Sequence, residues 1–220
     1  MGIKQVVKIG GSLFPDYAIE LAEQLKNTDS VIVLGGGEFA NLIRKYDSDI
    51  HFTEEVTHWT AIDCMDIIAK LVNDKVTTTK LAYTISEINE ISEEGFTPIF
   101  IVSEFLKRED PFECSWNVTS DSISAYVAHL LNANLFIVTD VNGIYTQEPK
   151  EPGSTFISKI DAKTLLTFQE SSIDVMLPSL LLEFGTNCYV LNGKCPERVL
   201  SLIDDNITDY NFDYTQIIGE

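Results

Sequence analysis

Short apolar runs alternate with amphipathic segments along most of the sequence. The apolar runs are four or five residues long, too short for a typical helix, and predict buried strands. They lie at residues 5–9, 30–34, 98–102, 135–139 and 188–191. Between them, apolar residues recur at helical spacing and predict helices at 17–26, from residue 38 onward, and at 53–72, 85–93, 119–132, 161–168, 178–184 and 196–203. Residues 104–114 show neither period and are interpreted as a loop or flap. This alternation indicates an α/β fold with a mostly parallel sheet covered on both faces.

The domain organisation predicted from this pattern is a single unit. No internal repeat, low-complexity tract or linker rich in Pro, Gly or Ser interrupts residues 1–220. Two lobes within that unit, 1–133 and 134–220, are a possible subdivision, although no sharp change in composition marks the boundary.

Charge and cysteine content indicate which binding partners and which cellular compartment to expect. The sequence carries 15 Lys and Arg against 34 Asp and Glu, a net charge of −19. Such a surface repels nucleic acid and anionic lipid, so neither is expected as a partner. No apolar run reaches the ~18–20 residues of a membrane span, and the N-terminus lacks the apolar core of a signal peptide. The four cysteines form no C-x-x-C pair, so we expect free thiols and a cytoplasmic location.

Two glycine-rich turns are the first candidates for chemistry. Gly10-Gly11-Ser12 follows the first predicted strand, and Gly35-Gly36-Gly37 follows the second. Ligands of open parallel sheets bind at the carboxyl ends of strands, where free N–H groups at a helix start attract anions. The alternative is that both are ordinary tight turns. A Walker sequence is absent, and residues 35–40 match G-x-G-x-x-A without the acid that a dinucleotide site requires at the end of the next strand.

Three charged residues accompany these turns. Lys8 lies inside an apolar strand two residues before Gly10, where it either binds an anion or extends its ammonium to water at the strand end. Asp121 near a helix start and Asp140 before the Asn142-Gly143 turn have ordinary interpretations as a cap and as turn chemistry.

The ordered set of motifs is more specific than any one of them. In sequence it runs through Val7-Lys8-Ile9-Gly10-Gly11-Ser12, Val33-Leu34-Gly35-Gly36-Gly37, Thr119-Ser120-Asp121, residues 137–146 and Val190-Leu191-Asn192-Gly193. This series resembles the amino acid kinase family, which has the carbamate-kinase-like fold. The resemblance spans roughly residues 6–193.

The resemblance implies a three-layer αβα sandwich that binds ATP and Mg²⁺. It implies that Lys8 stabilises the transferring phosphoryl group and that Asp121 organises the basic groups. The remaining roles it implies are phosphate binding by Gly10, Gly11 and Ser12, nucleotide binding by Thr139, Asp140, Gly143 and Tyr145, and acceptor binding by Gly36 and Gly37. The lobe 1–133 would then be the acceptor side and 134–220 the nucleotide side. Family members are oligomeric, so a homo-oligomer is expected; the metal ligands stay unassigned.

One departure from the family pattern concerns a second lysine. The family often carries Gly-Gly-Met-x-x-Lys, whereas this chain has Asp174-Val175-Met176-Leu177-Pro178-Ser179. Ser179 therefore stands in the place of the lysine. Lys159, Lys194 or a second metal ion are the alternatives for compensating this loss.

The segments around His58-Trp59 and Trp116 resemble a narrower archaeal branch whose members phosphorylate a phosphomonoester. The expected acceptor is a small phosphorylated molecule bearing an amine, with an aminomethyl-furan phosphate as the leading candidate. Trp59 or Trp116 would stack on its ring, and Asp63 or Asp66 would meet the amine, because Trp59, Asp63 and Asp66 share a helix face. That face is alternatively only solvated. Two other functions stay open: a carboxylate kinase of the acetylglutamate or glutamate type, and a non-catalytic nucleotide- or anion-binding protein.

Overall fold

The computed structural model describes residues 2–147, 149–168, 172–204, 207 and 210–219. The strands are β1 (Gln5–Ile9), β2 (Ser30–Leu34), β3 (Thr79–Ala82), β4 (Thr97–Phe100), β5 (Asn134–Thr139), β6 (Ile144–Tyr145), β7 (Phe156–Ile157), β8 (Lys159–Asp161), β9 (Cys188–Asn192) and β10 (Tyr214–Ile218). The helices are α1 (Asp16–Gln24), α2 (Gly37–Ile50), α3 (Glu54–Lys75), α4 (Ile85–Glu93), α5 (Ser103–Glu109), α6 (Ser120–Leu131), α7 (Ala162–Leu165), α8 (Leu177–Phe184) and α9 (Pro196–Ile203).

Eight of the strands form one central sheet in the order β3-β4-β2-β1-β5-β9-β10-β8. Neighbouring strands pair in parallel except β9 and β10, which are antiparallel. Because β1 pairs with β5, the sheet runs without a break across the 133/134 boundary. The predicted mostly parallel sheet and αβα layers are confirmed. None of the helices in the described residues is long and apolar enough to cross a membrane.

Two apolar cores lie on opposite faces of the sheet and make the three layers. Alternation along β1 sends Val6 into one core and Val7 and Ile9 into the other. All five residues of β1 are buried, as expected for a central parallel strand. Lys8 therefore falls on the same face as Val6, where the covering layer includes α6.

The structure corrects the prediction for residues 104–114. Helix α5 occupies Ser103–Glu109, because Phe105 and Leu106 are buried against the core while the polar residues between them and the next segment face outward. The strands β3, β8 and β10 and the small β6–β7 hairpin were not predicted, since they are short or carry polar residues on one side. The predicted bounds of β1, β2, α4 and α9 agree with the structure.

The two glycine-rich turns contact each other directly. A Cβ added to Gly11 would overlap the N and Cα atoms of Gly37, and one added to Gly35 would lie 2.7 Å from the Gly11 nitrogen. Gly37 also has a φ of 54°, which side-chain-bearing residues rarely adopt. The turns that follow β1 and β2 thus pack backbone against backbone, and any side chain at Gly11 would force them apart.

The Gly11→Ala substitution is expected to lower the free energy of unfolding by roughly 1–3 kcal/mol, because the methyl group overlaps backbone that has no room to move. Denaturant titration followed by circular dichroism measures this change. Gly2→Ala is the matched control, since no atom lies within 4 Å of its ideal Cβ position. Equal stability of both variants would contradict the close approach of the two turns.

Candidate active site

The carboxyl ends of four adjacent strands bring most of the predicted site residues to one edge of the sheet. Ile9 at the end of β1 pairs with Leu34 of β2 and with Val138 of β5. Thr139 at the end of β5 pairs with Asn192 of β9. The four loops that follow these strands therefore lie side by side, at residues 10–12, 35–37, 140–143 and 193–195.

Lys8 and Asp121 form a buried ion pair at the centre of this edge. Lys8 Nζ lies 2.7 Å from Asp121 Oδ1, and the two side chains are 10% and 7% exposed. Helix α6 begins here, with Thr119 as its cap: the Thr119 hydroxyl accepts a hydrogen bond from the Asp121 nitrogen at 3.4 Å. Charges this well buried are tolerated only when paired. A lysine ammonium has three N–H donors, so Lys8 can bind a phosphate oxygen while it keeps Asp121.

Asp174 connects the start of α6 with the start of α8. Its carboxylate accepts six hydrogen bonds of 2.6–3.1 Å, from the Thr119 and Ser122 nitrogens, the Thr119 and Ser122 hydroxyls, and the Met176 and Leu177 nitrogens. Its own backbone nitrogen donates to Asp121 Oδ2 at 3.1 Å. Burial raises the pKa of Asp174 and the charge of Asp121 raises it further, whereas the hydrogen bonds from Ser122 and Thr119 lower it. Asp174 therefore fixes the position of Asp121 through its backbone N–H and through its bonds to the first turn of α6.

A cavity of about 280 Å³ opens beside the glycine turns, between α2, α3 and the segment that leads into α6. Its lining comprises Gly11, Ser12, Gly35, Gly36, Gly37, Ala40, Asn41, Arg44, His58, Ala61, Ile62, Met65, Ser115, Trp116, Val118, Thr119, Ser120 and Ile123. Within this described lining, Arg44 is the only Lys, Arg, Asp or Glu. The cavity thus combines apolar side chains with mostly uncharged polar ones, with backbone N–H groups at one end and one guanidinium along its wall.

His58 and Trp116 both lie on the cavity wall. Trp116 Nε1 donates to Asp47 Oδ2 at 2.8 Å, and the Arg44 guanidinium carbon lies 4.7 Å from the centre of the Trp116 ring. His58 Nδ1 lies 3.2 Å from the Ser115 carbonyl oxygen. Contacts from α2 and from α3 therefore hold the segment around Trp116 against the cavity.

Trp59, Asp63 and Asp66 do not line the cavity, contrary to the expectation from their shared helix face. Helix α3 turns positions 58, 61, 62 and 65 toward the cavity. Asp63 is paired with Lys107 of α5 at 3.1 Å, and the Lys107 ammonium also lies 5.6 Å from the Trp59 ring. Asp66 is buried and accepts from the Val102 nitrogen at 3.0 Å. Their face packs beside α5, the helix that the sequence pattern did not predict.

The predicted nucleotide residues occupy the neighbouring strand ends. The Thr139 carbonyl accepts from the Gly193 nitrogen at 2.8 Å, and Asn192 Nδ2 donates to the Asp140 carbonyl at 3.3 Å. A Cβ on Gly193 would lie 2.5 Å from both Leu13 and Val138. These bonds join the β5 and β9 loops into one surface next to the 10–12 turn.

Gly143 and Tyr145 continue this surface into the β6–β7 hairpin. A Cβ on Gly143 would lie 2.9 Å from Phe156 Cε2, so the loop approaches the hairpin too closely for a side chain. The Tyr145 and Phe156 rings meet edge to face with centres 5.4 Å apart. The hairpin therefore holds Tyr145 at the rim of the nucleotide side.

The structure separates the candidates for the second cation. Ser179 is exposed on α8. Lys159 borders a hollow with Asn187, at the opposite end of β9 from the site. Lys194 follows β9 at the site end, and its Nζ atom lies 4.0 Å from Asp140 Oδ2. Of these two lysines, only Lys194 lies at the end of the sheet that carries the predicted nucleotide residues.

Sequence reasoning missed the roles of Arg44, Asp47 and Asp174. The signal for Arg44 was present, since it lies seven residues, or two helical turns, after Gly37 and so shares its helix face. No local pattern marks Asp174, because its side-chain partners at Thr119 and Ser122 are 55 and 52 residues away in sequence.

Comparisons with known proteins identify the family to which the chain is similar. The model of the amino acid kinase family matches residues 4–192. The chain is 38% identical to [5-(aminomethyl)furan-3-yl]methyl phosphate kinase of Methanocaldococcus jannaschii over 97% of both sequences. It is 26% identical to uridylate kinase of Thermofilum pendens, over 88% of this chain and 90% of that one.

Solved structures show the same fold. Uridylate kinase from Archaeoglobus fulgidus superposes with a TM-score of 0.70 at 18% identity, covering 97% of this chain and 99% of that one. An isopentenyl phosphate kinase in complex with substrate superposes with a TM-score of 0.64, also at 18% identity, over 98% and 99% of the two chains.

The Asp174→Asn substitution is expected to lower the free energy of unfolding by roughly 1–3 kcal/mol. The amide nitrogen of Asn cannot accept hydrogen bonds, so the N–H and O–H donors that now bind one carboxylate oxygen would lose their acceptor. Denaturant titration measures the loss. Asp74→Asn is the control: Asp74 pairs with Lys75 at the surface, with its side chain 73% exposed, so the change there is expected to stay within ~0.5 kcal/mol. An Asp174→Asn protein as stable as the parent would remove Asp174 from the account of the site.

Proposed function

Since the chain belongs to the amino acid kinase family and is therefore a phosphotransferase, we propose that it transfers the γ-phosphoryl group of ATP to a small phosphomonoester. The proposed acceptor is [5-(aminomethyl)furan-3-yl]methyl phosphate, which becomes its diphosphate in methanofuran biosynthesis. The observation that carries the proposal is the buried pair of Lys8, on β1, and Asp121, since β1 lies between β2, whose following turn lines the cavity, and β5, whose following loop holds the predicted nucleotide residues.

The transfer joins two anions, so its main barrier is electrostatic. An oxygen of the acceptor phosphate forms a bond to the γ-phosphorus as the bond to the bridging β–γ oxygen breaks, and ADP leaves with that electron pair. In the proposed reaction, the Lys8 ammonium stabilises the charge that gathers on the equatorial oxygens of the transferring group. Because Asp121 holds the ammonium in a nearly dry environment, this contact needs no reorganisation during the reaction.

The nucleotide side fits ATP with Mg²⁺. In the Gly10–Ser12 turn the Gly10 N–H already donates to the Val138 carbonyl, so we assign the nucleotide phosphates to the N–H groups of Gly11 and Ser12, with Lys194 as a nearby cation. Asp140, whose side chain is 45% exposed, offers a carboxylate for Mg²⁺, which typically takes one or two carboxylates together with phosphate oxygens. When bound, the ion would neutralise part of the phosphate charge that the family's missing lysine no longer meets.

The acceptor phosphate fits the start of α2. The first N–H groups of this 14-residue helix, at Gly36 and Gly37, have no partner within the helix and carry the positive end of its dipole. The furan ring would pack on Trp116 and on the apolar wall at Ile62 and Met65.

The acceptor amine requires a different partner from the one that the sequence predicted. Because Asp63 and Asp66 lie away from the cavity, we assign the amine to neutral oxygens of its lining, at Asn41, Ser115 or Ser120. Arg44, the one Lys, Arg, Asp or Glu among the described lining residues, would suit an acceptor phosphate or a carboxylate, so the case against a carboxylate kinase rests on relatives named as a phosphate kinase and a uridylate kinase. The relative at 38% identity, whose name is that of a phosphate kinase, favours a catalyst over a non-catalytic binding protein.

The proposal also includes a cytoplasmic homo-oligomer. The cysteines at 64, 114, 188 and 195 are all free thiols, as suits a reducing compartment.

The test is to incubate the protein with ATP, Mg²⁺ and one acceptor at a time, and to follow ³¹P resonances. The acceptors are the furan phosphate, UMP, isopentenyl phosphate and acetylglutamate. We expect a diphosphate signal that grows when the furan phosphate is the acceptor. Its kcat/KM should be at least about 10-fold above that for UMP, because polar groups of a cavity that match one acceptor are left without hydrogen-bond partners by another. Faster turnover of UMP than of the furan phosphate would contradict the proposed acceptor. Formation of an acyl phosphate from acetylglutamate would contradict the proposed phosphomonoester kinase and identify a carboxylate kinase.

A further inference from the structure

Part of the wall of the cavity proposed for the acceptor has no secondary structure of its own. Residues 111–118, which we call the Trp116 segment, lie between the end of α5 and the start of α6. Ser115, Trp116 and Val118 of this segment line the cavity. Among the described residues, the segment takes part in no backbone-to-backbone hydrogen bond. Its position therefore depends on contacts that involve side chains of the neighbouring helices.

Asp47 of α2 makes the shortest of these contacts. Its Oδ2 atom accepts a hydrogen bond from Trp116 Nε1 at 2.8 Å, and its Oδ1 atom accepts one from the Phe52 backbone nitrogen at 3.0 Å. One oxygen thus binds an indole 69 residues away in sequence, while the other is bound by the chain just beyond the end of α2. Because both oxygens are engaged, the carboxylate is fixed in one orientation and fixes the indole with it. A hydrogen bond to a charged acceptor is also stronger than one between neutral groups.

The same arrangement leaves the Arg44 guanidinium without an acidic partner. Arg44 and Asp47 are three residues apart on α2, a spacing at which opposite charges often pair. No salt bridge involves Arg44 in the described part of the chain. Its guanidinium carbon instead lies 4.7 Å from the centre of the Trp116 ring. Asp47 therefore binds the edge of the indole, and Arg44 covers one face of it.

We propose that Asp47 is a positioning residue for the acceptor and acts by holding the Trp116 ring in the cavity wall. Asp47 is not among the described residues that line the cavity, so its effect reaches the acceptor through Trp116. This inference rests on the proposed function, in which the ring of the acceptor packs on Trp116. A ring that is already fixed binds without losing freedom, whereas a ring on an unanchored segment must be ordered when the acceptor arrives.

A second contact separates the indole from the rest of the segment. His58 of α3 meets the segment at its backbone, with Nδ1 3.2 Å from the Ser115 carbonyl oxygen and 3.4 Å from the Ser115 nitrogen. Loss of Asp47 should therefore free the indole while the segment stays beside α3. The loops proposed for the nucleotide follow β5 and β9 and contain no part of α2. We expect a higher KM for the acceptor, with kcat and the KM for ATP changed by less than about 3-fold.

The kinetic experiment is a double-mutant cycle of Asp47→Ala and Trp116→Phe, with the phosphomonoester that the parent phosphorylates fastest. Each single variant should raise the acceptor KM at least about 10-fold, the scale of losing one hydrogen bond to a charged group. The double variant should be little worse than either, because both changes remove the same bond. Trp116→Phe leaves the bond between Asp47 and Phe52 in place, so a purely structural role of Asp47 at the end of α2 would leave this variant unaffected.

Asp49→Ala is the matched control for the kinetic experiment. It removes the same charge from the same helix, and Asp49 is exposed and makes no hydrogen bond or salt bridge in the described part of the chain. This variant should keep the acceptor KM of the parent.

Fluorescence gives a second measurement that requires no substrate. In a Trp59→Phe background, Trp116 is the one tryptophan that remains of the two in the sequence. Adding Asp47→Ala should raise the acrylamide quenching constant of Trp116 at least about 2-fold, because the indole loses the bond that holds it in the wall. Adding Asp49→Ala should leave the quenching constant unchanged.

Three results would each overturn the proposal: an unchanged acceptor KM in Trp116→Phe, losses that multiply in the double variant, or equal quenching with and without Asp47. A failure of the proposed function looks different. If the parent phosphorylates UMP or isopentenyl phosphate fastest, the proposed acceptor is wrong, and the cycle is run with that substrate. If it phosphorylates none of them, the kinase assignment fails, and the quenching constants still decide whether Asp47 holds Trp116.

Discussion

A lysine and an aspartate that share a nearly dry space between β1 and α6 impose the main constraint on this structure. Neither Lys8 nor Asp121 is stable there alone, because burying one unpaired charge costs several kcal/mol. The strand that carries Lys8 must therefore lie in the middle of the sheet, and the helix that carries Asp121 must begin directly above it. Asp174 secures this arrangement by binding the first turn of α6 and the first turn of α8 with one carboxylate.

The two glycine turns lie next to this pair, at the ends of β1 and β2. Their backbones approach each other without side chains between them, and Gly11 and Gly37 are in direct contact there. The loops that we propose for the nucleotide lie on one side of this contact, and the cavity that we propose for the acceptor lies on the other. In a protein with a net charge of −19, the few cations near the centre, Lys8, Arg44 and Lys194, then have a large local effect.

The sequence was most informative where the residue pattern within a single strand or helix is enough to predict which of its residues are buried. Lys8 stood out because it interrupts a strand that is otherwise apolar, and α9 was bounded by its own period and its N-terminal proline. Helix α5 was missed because two apolar residues in seven are too few to establish a period. The shared face of Trp59 and Asp63 was correctly inferred, but helical spacing does not say which neighbour that face meets, and here the neighbour is α5. Asp174 depends on partners more than 50 residues away, which no local pattern records.

The central claim is that Lys8 and Asp121 act as one unit in phosphoryl transfer, and a double-mutant cycle on kcat tests it most directly. Lys8→Met and Asp121→Asn should each lower kcat by at least about 10²-fold, the scale of losing one contact that stabilises transition-state charge. The double variant should be little worse than either single one, because each change already disables the pair. All three proteins should keep the circular dichroism spectrum of the parent under native conditions, although each single variant should unfold at a lower denaturant concentration because it leaves one buried charge unpaired. Losses that multiply in the double variant, or a folded Lys8→Met protein with near-normal turnover, would contradict the account.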